Sequence, residues 1–127
     1  MVSIAVTAER EGEPRVAISP ETVKKLTALG ATVRVQAGAG GGSRFSDEIL
    51  KAQGATIATS AQEALAGADI LLKVRRPSPE EVGALAPGAI VAAMLAPYDD
   101  RPGLDALAAT GASLMAMELM PRISRAQ

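Results

Sequence analysis

The chain has 127 residues, and its 13 Lys and Arg against 14 Asp and Glu give a formal net charge of −1. This length predicts a single domain, and a hydrophobic content of 48% is enough for one core. The absence of a basic surplus and of aromatic residues beyond Phe45 and Tyr98 argues against nucleic-acid binding. Cysteine and histidine are both missing, which excludes disulfides, thiolate nucleophiles, imidazole bases and the usual zinc sites. No metal site is expected.

The apolar segments are too short for a membrane span. The longest run, residues 84–97, is interrupted by Pro87 and Gly88 and is shorter than the roughly 20 residues that a bilayer requires. The first residues lack the basic leader and long apolar core of a signal peptide. We therefore expect a soluble, cytoplasmic protein.

Strands and helices are predicted to alternate along the whole chain. Short apolar runs rich in β-branched residues indicate strands, and hydroxyl residues that precede acidic or periodic segments indicate helix starts. Gly30, Gly54 and Gly111 each precede a small residue, a hydroxyl residue and an apolar residue, as expected where a helix ends and a strand follows. The predicted strands cover residues 2–6, 31–36, a segment after Gly54, 68–74, 89–95 and 112–119.

The predicted helices begin at recognisable caps. Ser19 and Pro20 begin a helix that runs to residue 29, and Ser46 caps a short helix to residue 53. Ser60 and Ser78 each begin the pattern of a capping box. The last helix is predicted at residues 104–110.

This alternation predicts a doubly wound, three-layer α/β fold with a parallel sheet, either Rossmann-like or flavodoxin-like. The strand order is not predicted. The strand at residues 112–119 is expected to be central, because eight largely apolar residues stand between Gly111 and Pro121. Residues 1–121 then form one α/β domain. Residues 122–127 form a polar loop at the carboxyl end of a strand. Ligands bind at this position in open α/β sheets, so the loop is a candidate site; the alternative is a solvated loop that leaves the domain.

Two further segments are candidate anion sites. Residues 38–43 are rich in glycine, but Ser43 occupies the last position of the G-x-G-x-x-G fingerprint, so a flexible turn is the alternative to phosphate binding. Lys73 lies at the carboxyl end of the strand at 68–74, next to Arg75 and Arg76. These three cations could receive an anion or form a solvated basic turn. Arg15 could reach the same crevice.

Four segments together resemble the alanine dehydrogenase and proton-translocating transhydrogenase family. The segments are residues 15–23, residues 38–47 with Gly38, Gly40 and Phe45, residues 69–77, and the closing residues 117–127. Within the last segment, Pro-Arg-Ile-Ser-Arg-Ala-Gln at 121–127 resembles the transhydrogenase branch in particular, in the N-terminal portion of its alpha subunit. The resemblance implies an enzyme that passes a hydride between NADH and NADP, coupled to proton movement through a membrane domain.

The missing histidine separates the two branches. In alanine dehydrogenases, Arg15 and Lys73 would hold the substrate carboxylate, and a histidine near residues 95–98 would transfer the proton. Without that histidine, general acid/base catalysis worth roughly a hundredfold or more is lost. We therefore favour the transhydrogenase branch, with Arg15 and Lys73 as inherited structure.

The resemblance also implies a cofactor contact. Arg122, Ile123 and Ser124 would meet NAD(H), Gln127 would reach the nicotinamide end where NADP arrives on a partner domain, and Arg122 and Gln127 would act as the catalytic pair. The family pattern continues past Gln127 into a second, glycine-fingerprinted domain that binds most of the NAD, so this chain alone is expected to be inactive. The implied partners are the NADP-binding domain, membrane-embedded components at the inner membrane, and a second copy of the subunit. The rival hypothesis is a free-standing α/β binding or interaction module.

Overall fold

The computed structural model describes residues 2–9, 13, 16–41, 44–93, 101–109 and 111–116. Six strands and five helices alternate within these residues. The strands are β1 Ser3–Val6, β2 Thr32–Gln36, β3 Thr56–Ala58, β4 Ile70–Leu72, β5 Ile90–Ala93 and β6 Ser113–Ala116; the helices are α1 Pro20–Ala28, α2 Asp47–Ala52, α3 Ala61–Leu65, α4 Pro79–Gly83 and α5 Arg101–Ala108.

The strands form one parallel sheet in the order β3-β2-β1-β4-β5-β6. This is the order of the dinucleotide-binding Rossmann fold rather than the flavodoxin-like order. The predicted doubly wound parallel α/β fold is therefore confirmed, and the strand order decides between its two variants.

The predicted position of the last strand is wrong. β6 pairs with β5 and lies at the edge of the sheet, whereas its apolar sequence predicts a central position. Leu114 is only partly buried there and packs against the core from one side. An apolar run indicates that a strand is buried, but an edge strand also needs apolar residues where one of its faces packs on the core. Residues 117–119 of the predicted strand lie outside the described residues.

Local sequence explains where the helices begin. The Ser19 hydroxyl accepts from the Thr22 amide at 3.2 Å, and Ser46 accepts from Ile49 at the same distance. Gly30 follows α1 with a φ of 94°, in the left-handed region that ends helices. These starts and stops agree with the predicted elements to within a few residues.

Of the two predicted capping boxes, one forms. Ser78 and Glu81 bond reciprocally, since the Ser78 hydroxyl accepts from the Glu81 amide and the Glu81 carboxylate accepts from the Ser78 amide. At α3 the Ser60 hydroxyl accepts from the Glu63 amide, but the Glu63 carboxylate binds the amide and hydroxyl of Thr59. The second box is therefore only half formed.

Two apolar clusters lie on opposite faces of the sheet. On one, which we call the α1 face, Val23 of α1 and Leu50 of α2 pack against Val6, Val33 and Val35. On the other, the α3 face, side chains of α3, α4 and α5 pack against β1, β4 and β5; this cluster includes Leu65, Val82, Leu107, Ala5, Leu71, Val91 and Ala93. Within the described residues, no helix is long and apolar enough to cross a membrane.

Candidate functional site

A cleft opens at the carboxyl ends of β1 and β4, which are neighbours in the sheet. The connection after β1 leads to α1 on one face, and the connection after β4 leads to α4 on the other. Such a divergence is the topological switch point at which open α/β sheets bind ligands. The cleft measures about 500 Å³ and is lined by Ala8, Glu9, Gln36, Ala61, Lys73, Arg75, Arg76, Pro77, Ser78 and Glu81.

Lys73 lies in a buried polar cluster at this point. Its side chain is 4% exposed, and its ammonium donates to the carbonyl of Ala8 at 2.9 Å. The same nitrogen lies 3.7 Å from the Glu9 carboxylate and 3.8 Å from that of Glu81. An ammonium has three N–H groups, and a buried charge is tolerated only when it is paired. The ammonium therefore makes one hydrogen bond and two ion pairs within the fold.

Glu9 joins the ends of β1 and β4. Its side chain is 2% exposed, and its two oxygens accept from the amides of Val74 at 2.9 Å and Arg75 at 3.0 Å. These amides follow β4, so the carboxylate joins the segment after β1 to the segment after β4, beyond the residues at which the two strands pair. Gln36 has a matching role at the end of β2, the other neighbour of β1, because its side-chain Oε1 accepts from the Ala8 amide at 2.8 Å. The segment after β1 is thus fixed from both neighbouring strands.

Glu81 links the cluster to α4. One of its oxygens completes the capping box with Ser78, and the other accepts from the hydroxyl of Thr7 at 3.0 Å. Thr7 is 1% exposed. Its hydroxyl therefore needs an acceptor inside the protein, which Glu81 supplies. The start of α4 is consequently tied to the end of β1.

Lys73 and Arg75 of the basic turn are each paired with carboxylates. Lys73 has Glu9 and Glu81, and Arg75 donates from Nε to Glu13 at 2.7 Å. The interpretation of this turn as solvated is wrong for Lys73, because that residue is buried. An incoming anion would also meet two carboxylates beside the ammonium. Arg15, predicted to face the same crevice, lies outside the described residues.

The glycine-rich loop folds as a turn over its described residues, 38–41 and 44–46. The Gly38 amide donates to the Asp47 carboxylate at 2.9 Å, and the Phe45 amide donates to the Gly40 carbonyl at 2.9 Å. A Cβ at Gly40 would lie 2.3 Å from the Phe45 carbonyl oxygen, so this glycine permits the close approach of the two backbones. The Ser46 hydroxyl caps the helix that follows, because it accepts from the Ile49 amide. This geometry supports the turn alternative over a phosphate loop.

The predicted cofactor contacts, Arg122, Ile123, Ser124 and Gln127, lie outside the described residues and stay predictions. Among the described residues, no group of three or more carboxylates is arranged to hold a metal ion. The sequence reasoning missed Thr7, Glu9, Gln36 and Glu81. Their common signal was position: three follow or end a strand, and the fourth lies in the first turn of the helix after a strand.

Two carboxylates outside the cleft have perturbed acidities. The backbone amide and then the hydroxyl of Ser3 hold the pKa of Asp69 below its ordinary value. The hydroxyl and then the amide of Thr59 lower the pKa of Glu63 in the same way. Both carboxylates are stabilised in their charged form, so they act as local acceptors that fix strand and helix starts.

Comparison with known proteins gives a consistent result. Residues 5–127 match the family described as alanine dehydrogenase/PNT, N-terminal domain. The chain is 48% identical, over 99% of its length, to a Rhodospirillum rubrum protein named as the first part of NAD(P) transhydrogenase subunit alpha, and it covers 34% of that protein. It is 41% identical, over 88% of its length, to alanine dehydrogenase of Mycobacterium tuberculosis, of which it covers 30%. A transhydrogenase crystal structure from Sinorhizobium meliloti superposes with a TM-score of 0.89 at 44% identity, covering the whole chain and 38% of that structure. The chain thus spans about a third of the length of these relatives.

Proposed function

Because the chain belongs to the alanine dehydrogenase/PNT N-terminal domain family, we propose that it serves a proton-translocating NAD(P) transhydrogenase. It would be the N-terminal domain of the subunit that binds NAD(H). Its role there is to help position the nicotinamide for hydride transfer between NADH and NADP. The whole subunit is the enzyme, and this domain alone is inactive.

The observation that carries the choice of branch is the environment of Lys73. In an alanine dehydrogenase the matching lysine would hold a substrate carboxylate. Here its ammonium is surrounded by Ala8, Glu9 and Glu81, at 2.9, 3.7 and 3.8 Å. A substrate carboxylate would have to displace one of these three acceptors and would approach at least one of the two glutamates. The lack of any histidine in the sequence favours the same branch, since amino acid oxidation needs a proton carrier.

Cofactor contact in this proposal is made by the end of the chain. Arg122, Ile123 and Ser124 meet NAD(H), and Gln127 faces the position at which NADP arrives on its own domain. Arg122 and Gln127 form the catalytic pair only in the sense that they hold the reacting rings together. Hydride transfer needs alignment and exclusion of water more than proton chemistry, and a guanidinium with a carboxamide provides alignment without titrating.

The main NAD site is assigned to another domain of the subunit. A dinucleotide needs amides at a helix N-terminus for its pyrophosphate. Among the described residues of the segment 38–45, the amides of Gly38, Ala39, Gly41, Arg44 and Phe45 donate within the protein. That loop therefore does not suit a pyrophosphate.

The proposed partners follow from the same assignment. They are the NADP-binding domain, the membrane-embedded components of the transhydrogenase and a second copy of the subunit. The domain would work on the cytoplasmic side of the inner membrane and be held there by its partners. Purifying the complete subunit as a fully active lone monomer from a membrane-free extract would contradict this assignment.

The assay that separates the branches uses the complete gene product that contains this chain. With NADH, pyruvate and ammonium it should show no pyruvate-dependent oxidation of NADH. An authentic alanine dehydrogenase, assayed in parallel, is the positive control. Pyruvate-dependent turnover would place the chain in the other branch and end the proposal.

A further inference from the structure

The cleft at the ends of β1 and β4 is lined by hydrogen-bond donors that the fold does not use. The Lys73 ammonium makes one hydrogen bond, to the Ala8 carbonyl, so two of its three N–H groups have no hydrogen-bond acceptor among the described residues. The amide nitrogen of Gln36 also has no partner in the part of the chain that the structure describes, since only its Oε1 is engaged. Both side chains line the cleft. Convergent free donors in one cavity indicate a ligand.

The cleft also offers an acceptor beside the ammonium. The Glu81 side chain is 24% exposed, whereas that of Glu9 is 2% exposed, so Glu81 is the carboxylate open to the cleft. Its Oε2 lies 3.8 Å from Lys73 Nζ. That separation is too long for a direct hydrogen bond, but one oxygen atom between them can lie about 2.8 Å from each. A hydroxyl group suits this gap, because it donates to the carboxylate and accepts from the ammonium.

The charges of the lining favour a neutral ligand. A carboxylate or phosphate that approached the ammonium would meet Glu9 and Glu81 beside it. An amine that approached these carboxylates would meet Lys73, and the guanidinium groups of Arg75 and Arg76 line the same cleft. Like charges brought together oppose binding of either ion. A neutral molecule with hydroxyl groups meets both kinds of group without this repulsion.

The place of the cleft in the fold narrows the ligand further. The sheet has the strand order of dinucleotide-binding folds, in which a polar residue about 20 residues past the first turn holds the hydroxyls of a ribose. Gln36 ends β2 at the corresponding place. Ala61 and Pro77 add apolar contact for the carbon atoms of a small ring. The volume of about 500 Å³ lies within the usual range of small-molecule sites.

We infer that this cleft binds a neutral pentose ring through its vicinal hydroxyls, either as a free sugar or as the ribose of a nucleoside. One hydroxyl bridges Lys73 and Glu81, and Gln36 donates to the ring from the end of β2. The site uses none of residues 122–127. It can therefore fail while the proposed function holds, and the reverse is also true.

Titration of the ¹⁵N-labelled 127-residue chain with methyl β-D-ribofuranoside tests the inference by NMR. The side-chain amide signals of Gln36 should shift and saturate with a Kd of about millimolar, as suits so small a ligand. The 2-deoxy analogue lacks one hydroxyl and should bind roughly tenfold more weakly. Adenosine that binds more tightly with the same shifts would identify a nucleoside, and adenosine that binds no better would identify a free sugar; both support the inference. No saturable shift, or tighter binding of acetate or inorganic phosphate, would overturn it.

A matched pair of variants locates the site. Ala61 begins α3 and lines the cleft, whereas Ala66 is the exposed C-cap of the same helix. Ala61→Leu should fill part of the cleft and abolish the Gln36 shifts, and Ala66→Leu should bind the riboside like the unmodified chain. Unchanged binding by the Ala61 variant would overturn the inference. The comparison of the riboside with its 2-deoxy analogue needs no substitution, so it decides the question if Ala61→Leu does not fold.

Discussion

Replacing Lys73 by methionine should destabilise the domain strongly. The substitution keeps most of the side-chain volume but removes the cation between Glu9 and Glu81. Glu9 is 2% exposed and would keep only its two amide donors, from Val74 and Arg75. The Ala8 carbonyl would also lose its donor.

The expected loss is about 3 kcal/mol in the free energy of unfolding. Breaking a buried ion pair by removing one partner costs about 3–5 kcal/mol, because the remaining charge stays buried. The lower end applies here, since the Glu81 side chain is 24% exposed and can regain water. Against a total stability of about 5–15 kcal/mol, such a loss is easily measured.

Lys25 provides the matched control. It pairs with Glu21 one helical turn away at 3.4 Å, with both side chains more than 70% exposed. Lys25→Met should therefore change the stability by less than about 0.5 kcal/mol. Urea unfolding followed by circular dichroism would measure both variants. Equal midpoints for the Lys73 and Lys25 variants would refute the claim that the cluster is buried and coupled.

Three further predictions concern the core, the cofactor and pH. Leu71→Ala, in a fully buried site on β4, should cost about 2–5 kcal/mol in thermal or urea unfolding, while Leu29→Ala at an exposed helix end should cost almost nothing; similar losses would mean that the sheet is packed differently. The 127-residue chain should bind NADH no more tightly than about millimolar by titration calorimetry, because a few exposed polar contacts at a chain end cannot offset the ordering cost; a micromolar constant would reveal a phosphate site. Ser3→Ala removes the hydroxyl but keeps the backbone amide, which lowers the pKa of Asp69 most, so the variant should raise that pKa only part of the way toward its ordinary value in an NMR titration. Since the folded pKa lies below the unfolded one, this carboxylate stabilises the fold above the unfolded pKa and stops doing so as pH falls through the folded pKa; an unchanged titration in the variant would contradict the contribution assigned to the hydroxyl.

Helix and strand positions were predictable because their signals are local. Ser19 and Pro20 lie next to the helix that they begin, and Gly30 and Gly54 stand where a positive φ ends one. The strand order depends instead on which face each connection crosses, which short-range patterns do not specify. The misplaced β6 illustrates this limit: its apolar residues signal burial, but not whether one or two strands flank it.

The candidate site was only partly predictable for the same reason. Lys73 stood out as a cation at a strand end, but its partners Glu9 and Glu81 belong to different elements. Glu9 lies 65 residues from the Val74 amide that it binds, and Thr7 lies 74 residues from Glu81. Such pairs become visible only once β1 and β4 are known to be neighbours. Strand-end position was the available signal, and it was applied to Lys73 and to residues 122–127 but not to Glu9 or Gln36.

Hydride transfer by the complete subunit tests the central claim most directly. The complete gene product, mixed with the NADP-binding domain of a transhydrogenase, should pass hydride from NADH to an NADP analogue in a spectrophotometric assay. Gln127→Ala should lower the rate much more than the affinity for NADH, because the carboxamide aligns the rings and is only one of several contacts to the dinucleotide. No transfer by the complete subunit, or full transfer by the Gln127 variant, would contradict the account.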